Sequence, residues 1–180
     1  VVSTERGTTL EQNNARVHTT EHVLAAIYGC QVDNALITID GPEIPIMDGS
    51  ALKFVEAIEA IGYEEQNAER VYFELTENNP WEDEENGIEF LAIPDVNYRL
   101  TVMVDYQSPA LGTQHASMYH IGEFNKEIAK CRTFVFFREL EYLAKNNLIK
   151  GGDLDNAIVM VERQTISQDE LTKLAKLLGK

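Results

Sequence analysis

Apolar residues recur along this chain of 180 residues at two periods, one suited to helices and one to strands. Val1 to Leu10 reads as a strand-like start, and the polar run Glu11-Gln12-Asn13-Asn14 suits a turn before Ala15-Arg16-Val17-His18, which predicts an opening hairpin. Val23, Leu24, Ile27 and Tyr28 then recur at helical spacing, with Thr19 or Thr20 placed to cap the helix and Gly29 to end it. Asn34 to Asp40, "NALITID", is a β-branched run that predicts a strand. It leads into Gly41-Pro42-Glu43-Ile44-Pro45, where two prolines rule out regular helix and make a rigid loop. Ser50 starts a second helix with Phe54, Val55, Ile58 and Ile61 on one side and Gly62 at its end. The first unit reads β-α-β-α.

Residues 64–69 are polar enough to be a linker, so a first domain is expected over 1–68 and a second over 69–180. Val71 to Leu75 has a strand pattern, residues 77–86 form an acidic turn, and strands are expected at Ile88 to Ile93 and Tyr98 to Tyr106. A short strand near Ser117 to Ile121 should precede a helix from Gly122 to Cys131 with Phe124 and Ile128 on one face. Arg132 to Phe136, a helix over 138–147, a break at Gly151-Gly152 and a strand from Asn156 to Val161 compose a β-α-β inset over about 132–160. Ser167-Gln168-Asp169-Glu170 resembles a capping box that opens a last helix through Leu171, Leu174, Leu177 and Leu178.

With 44% hydrophobic residues the chain can bury a sizeable core, as one domain or two. Its 15 basic against 30 acidic residues give a net charge of −15, which opposes attraction to phosphates or anionic lipid and argues against a nucleic-acid partner. Cys30 and Cys131 stand apart, which fits buried free thiols in a reduced, cytoplasmic setting. No apolar run approaches the roughly 20 residues of a membrane span. The chain opens inside an apparent strand and without Met, as a piece of a longer protein would.

Candidate chemistry centres on "VHTTEHVLAA", residues 17–26. A zinc hydrolase needs three protein ligands, an open position and a carboxylate close enough to take a proton from water. Glu21 can supply the base and His22 one ligand if the site lies over the helix N-terminus, where negative charge is stabilised. Glu in a first turn and a half-exposed His are equally ordinary helix features. His18 and His22, four apart, offer a rival chelating pair, although His18 precedes the threonine caps. His115 and His120 do not complete either site. Asp48 can cap locally or orient a catalytic group. The Thr133 hydroxyl can hold an oxyanion or satisfy backbone. Phe134, Phe136, Phe137, Leu140, Leu143, Leu148, Ile149 and Leu154 can wall an acyl tunnel or form plain core.

Taken together, "TTEHVLAAIYG", "DNALITIDGPEIPIMDGSA", "CRTFVFFRELEYL" and "GGDLDNAIVMV" resemble the bacterial UDP-3-O-acyl-N-acetylglucosamine deacetylases of lipid A biosynthesis, in order and spacing, over nearly all 180 residues. The resemblance implies an α+β fold of two-layer β/α domains with helices packed between two sheets, the second domain incomplete and carrying the inset. It implies a zinc amidase that takes a small acylated UDP-sugar and gives the free amine and acetate, the committed step toward lipid A. By motif match Glu21 is the general base, His22 a zinc ligand, Thr133 the oxyanion hydroxyl and Asp48 an acid near the site. Phe134, Leu140, Ile149, Leu154 and Ala157 fall on the acyl passage, and Tyr106 sits where the family has an aromatic beside the substrate. The acyl chain allows peripheral contact with a membrane. Some members are fused to a hydroxyacyl-carrier-protein dehydratase. The family's His-Lys-x-x-x-Asp stretch, its further His and its opening strands have no counterpart here, which implies an incomplete Zn2+ site and a 180-residue piece that binds zinc poorly and is inactive. A different metal amidase using His18 and His22, and a non-catalytic β/α interaction module, are the competing readings.

Overall fold

The structure is a computed structural model and describes all residues except 147, 149–151, 164 and 178–180. Strands β1 (Leu10–Gln12) and β2 (Ala15–Val17) form the expected antiparallel hairpin, with Leu10 opposite Val17. Its two-residue turn puts both Asn13 (φ 51°) and Asn14 (φ 66°) in the left-handed region, which asparagine tolerates and which matches the twist of a hairpin. The strand-like start reduces to one bridge, Ser3 to Thr9, because the chain bends between them at Arg6 (φ 57°).

Helix α1 (Glu21–Gly29) starts without the threonine cap expected from sequence. Thr20 occupies the cap position but its hydroxyl donates to the Thr8 carbonyl at 3.0 Å, while Thr19, at φ 57°, donates to Glu43 Oε1 at 2.7 Å. Both hydroxyls join α1 to other segments instead of closing its first turn. The buried face also differs: Val23 and Ala26 are covered, whereas Leu24 and Tyr28 are exposed. The covered face is the one toward Phe124, which packs close against Gly29 and shares a core with Ala26. A Cβ on Gly29 would sit 2.0 Å from the Phe124 ring, so only glycine admits it.

Helix α2 (Leu52–Ile61) forms where the periodicity predicts, with Val55 in the core and Phe54 and Ile58 packed beside it, but Ile61, expected on the same face, is exposed. The Ser50 hydroxyl accepts the Leu52 N–H at 3.1 Å, and Gly62 closes the helix at φ 83° by donating to the Ile58 carbonyl. The strands expected at Asn34 to Asp40 and Val71 to Leu75 are absent from the described residues; Leu36, Val71 and Phe73 are more than 90% exposed. Strand propensity is realised only against a neighbouring strand, and neither run has one among the described residues.

The acidic stretch supplies a strand as well as a turn, since β3 (Asn79–Asp83) pairs antiparallel with β4 (Ile88–Ala92). β5 (Leu100–Asp105) pairs with β6 (Thr113–Met118), which starts and ends earlier than the strand expected near Ser117 to Ile121. In place of one regular helix over 122–131 there is a 3-10 turn, Ile121–Glu123, followed by a π-helical stretch, Phe124–Ile128. The inset has the expected order: β7 (Phe134–Phe136), helix α3 (Phe137–Lys145) and β8 (Ile158–Met160), with Phe134 paired parallel to Ile158. Helix α4 (Gln168–Leu177) opens on the predicted capping box, in which Ser167 and Glu170 exchange backbone-to-side-chain bonds.

The class is mixed α+β, as expected, and the strands pair in twos among the described residues. Helices from both halves share one core, in which Ala26 and Cys30 meet Ala51, Val55, Met118, Phe124 and Ala129. Cys30 is buried there as a free thiol, but Cys131 is exposed, contrary to the expectation for both cysteines.

Candidate functional site

The proline loop between α1 and α2 organises the polar corner of the molecule. At one end it runs beside His18, the residue that follows β2 and lies three positions before α1: the His18 N–H donates to the Pro42 carbonyl at 2.8 Å and the Ile44 N–H to the His18 carbonyl at 3.1 Å. At the other end the Thr133 N–H donates to the Gly49 carbonyl at 2.7 Å. Gly49 holds φ 82°, and a Cβ there would lie 2.1 Å from the Asn156 carbonyl oxygen, so this joint requires glycine on both counts. Arg132 fastens the same joint. Its Nε donates to the Asp48 carbonyl at 2.7 Å, and its Nη2 to the carbonyls of Leu154 and Asp155 at 3.2 and 2.7 Å. One loop thus connects the mouth of α1 to the start of β7.

Glu21 is half-buried at that mouth, and its Oε2 accepts the Thr8 N–H at 2.8 Å. Its Oε1 faces Gly7 and has no hydrogen bond among the described residues. His22, the next residue in the first turn, is half-buried as well. His18 differs, because its Nδ1 lies 3.0 Å from the Thr9 hydroxyl and α1 begins only at Glu21. The four-residue spacing of His18 and His22 is therefore not the spacing of one helix face. Asp48 Oδ1 accepts from the Ser50 N–H at 3.2 Å and the Ser50 hydroxyl at 2.8 Å. Burial, the largest single influence, raises the Asp48 pKa, but the Ser50 bonds outweigh it and hold the carboxyl below its usual value. His115 lies in β6 opposite Met103, and His120 Nδ1 accepts the Gly122 N–H at 2.9 Å; neither joins the corner.

Among the described residues no three His, Cys, Asp or Glu side chains gather in a way that holds a metal ion. A catalytic zinc ordinarily takes three protein ligands, so the described residues do not by themselves form a whole zinc site.

Beside the corner lies an apolar cavity of about 550 Å³. Thr133, Phe134, Leu140, Leu154 and Ala157 all line it, five of the residues assigned to oxyanion and acyl passage from sequence. Ile149 lies outside the described residues. Tyr106 stands behind this wall, its ring packed edge-on against Phe134 at 5.3 Å and Phe136 at 6.3 Å. Phe136 is buried against Tyr106 and under the Arg138 guanidinium.

Sequence reasoning missed three contributors: Thr8, which holds Glu21; Arg132, which holds the joint; and Arg6, which lines the cavity and pairs with Glu139. Thr8 and Arg132 act on or through backbone atoms, which leave no mark in residue types. Arg6 was no more legible, because its position in a bend at positive φ is a property of the folded backbone.

Fold and site together define an α+β protein in which a helix-mouth carboxylate and imidazole are joined, through one loop, to a hydroxyl at the threshold of an apolar passage. The chain belongs to the UDP-3-O-acyl N-acetylglycosamine deacetylase (LpxC) family, whose sequence model matches residues 1–174. It is 44% identical over 180 residues to the bifunctional enzyme LpxC/FabZ of Chlorobaculum tepidum, covering 99% of this chain and 38% of that protein. The bifunctional enzyme LpxC/FabZ of Bacteroides thetaiotaomicron is 45% identical over 179 residues, 99% of this chain and 39% of that protein. The UDP-3-O-acyl-N-acetylglucosamine deacetylase of Oleidesulfovibrio alaskensis is 42% identical over 172 residues, 95% of this chain and 56% of that protein. The chain thus spans between 38% and 56% of the length of these relatives.

Proposed function

We propose that the protein to which these residues belong is a zinc-dependent N-deacetylase. It takes UDP-3-O-acyl-N-acetylglucosamine to the free amine and acetate, the committed step of lipid A biosynthesis. The observation that carries this reading is the family match over residues 1–174, reinforced by a polar corner that opens beside an apolar passage.

The acyl chain enters the passage along Phe134, Leu140, Leu154 and Ala157, with Ile149 and Tyr106 assigned to the same subsite by the family motif. Glu21 takes the proton from the attacking water. The Thr8 N–H fixes Oε2, which leaves Oε1 for that proton, and the N-terminus of α1 favours the ionised carboxylate. The Thr133 hydroxyl shares the charge of the oxyanion, held in place through its backbone bond to Gly49. Asp48 is an acid of the site's surroundings, already committed to Ser50. His22 is one zinc ligand, the others coming from residues beyond those described; bound there, the metal supplies Lewis acidity to the water and the amide carbonyl. The 180 residues alone then hold zinc weakly and lack turnover.

In this reading the protein acts in the cytoplasm on a small-molecule substrate, without nucleic acid, and touches a membrane only peripherally through the acyl chain. Among the described residues no helix is long and apolar enough to cross a membrane. The two-domain division at 68/69 belongs to the same proposal, and the exposed run 64–69, without helix or strand, supports it.

The test uses the full-length parent, with turnover of the acylated UDP-sugar and zinc content measured together. Glu21→Ala should lose roughly 10²–10⁴-fold in kcat and keep its zinc. His22→Ala should lose both. Near-normal turnover in the Glu21 variant would sink the base assignment. Metal kept by His22 variants and lost by His18 variants would favour the other metal amidase, and a parent with neither metal nor turnover would favour an interaction module.

A further inference from the structure

Among the described residues the apolar passage draws its lining from 133–175, with Arg6 the exception. This arginine reaches across from the first bend of the chain to Glu139 on α3, with Nη2 2.9 Å from Oε1 and Nη1 3.5 Å from Oε2. Such a fork fixes direction as well as distance. Glu139 Oε2 also receives the Phe136 N–H at 3.4 Å, so the same carboxylate caps α3 and anchors it. Burial is the largest influence on the Glu139 pKa and raises it, yet Arg6 and the other partners bring it below its usual value, so the pair is ionised. Two residues after Arg6, the Thr8 N–H holds Glu21, and Gly7 lies against the other oxygen of that carboxylate. The bend at 6–8 therefore touches the passage wall on one side and Glu21 on the other. Leu140 and Leu143, which follow Glu139 on α3, line the passage directly.

We infer that Arg6 and Glu139 are a positioning pair that registers the passage wall against the bend holding Glu21, and so sets the preference for long over short acyl chains. A long chain fills the passage and feels where α3 stands. A short chain leaves it empty and does not. The acyl substrate itself rests on the deacetylase reading, whereas the registration of the wall does not.

The experiment compares the full-length parent with Arg6→Ala, Glu139→Gln and the double variant. Glu139→Gln retains an oxygen for the Phe136 N–H and so preserves the start of α3. One arm measures kcat/KM for a long-chain and a short-chain UDP-3-O-acyl-N-acetylglucosamine. The other measures binding of octyl and ethyl β-glucoside, neutral probes that present a sugar and an alkyl chain without charge, by titration calorimetry. Each single variant should lower the long-over-short ratio by about fivefold, the upper range for a pair 44% and 30% exposed. The double variant should fall no further than the singles, because both remove one interaction. The octyl probe should weaken by a similar factor relative to the ethyl probe. Equal losses for long and short chains, or an unchanged ratio, overturn the inference. A wild-type parent that hydrolyses neither sugar removes the deacetylase reading, and the glucoside arm still decides the pair.

Discussion

The packing around Phe124 and the passage around Leu140 use the same kinds of side chain and end differently. Around Phe124 the neighbours are small: Ala26 and Ala129 are fully buried, and Gly29 lets the ring lie against the backbone of α1. Large meets small, and the space closes. In the inset, Leu140 and Leu143 on α3 share the passage with Phe134 and Leu174, large groups from separate elements, and a space of about 550 Å³ stays open. Apolar composition is common to both regions. Whether such a region becomes core or passage depends on the size of what lies opposite.

Truncation should separate them. Phe124→Ala removes the ring that joins helices from both halves and should cost about 3–5 kcal/mol of stability. Equilibrium denaturation measures it, and a loss near 1 kcal/mol would show that the core closes without the ring. Leu140→Ala enlarges a space that already exists, so its cost should fall near the low end for a buried leucine, about 2 kcal/mol. A loss equal to that of Phe124→Ala would mean that the passage wall is packed like the core.

The smallest effect is expected where α4 meets α3. The Arg163 hydrogen bond, then those from Ser167, hold the Glu170 pKa at about 2 against an ordinary value of 4.5. Lys145, then Lys173, hold Glu141 at about 2 in the same way. Both values are depressed on folding, so their stabilisation is present above pH 4.5 and is lost as pH falls through about 2. Both groups are exposed and the effect is modest. Acid should loosen α4 first, read as faster amide exchange over 168–177, and changing both glutamates to Gln should remove that dependence. The same acid response in the double variant would refute the assignment.

Legibility in the sequence followed how local each signal is. Helix α2 could be read from Phe54, Val55, Ile58 and Gly62, all within one element. The capping box of α4 and the β-α-β order of the inset are equally local. Asn34 to Asp40 read as a strand because its side chains favour one, but a strand also needs a partner that no residue within the run can announce. Thr19 and Thr20 sit where caps belong, yet their hydroxyls answer to Glu43 and Thr8, segments brought near only by folding. The polar corner was half legible for the same reason. Glu21, His22 and Thr133 are chemical types in suggestive places, and the residues that hold them at the backbone are not.

The grip of Arg132 on three carbonyl oxygens has a consequence for change over time. Carbonyls are the one acceptor that every substitution retains. The side chains of Asp48, Leu154 and Asp155 can drift toward other substrates or other surroundings without loosening this fastening, provided that the arginine and the path of the main chain persist. The joint confines inheritance to the arginine and to the glycine at 49, and leaves the neighbouring side chains at the rim of the passage free to vary.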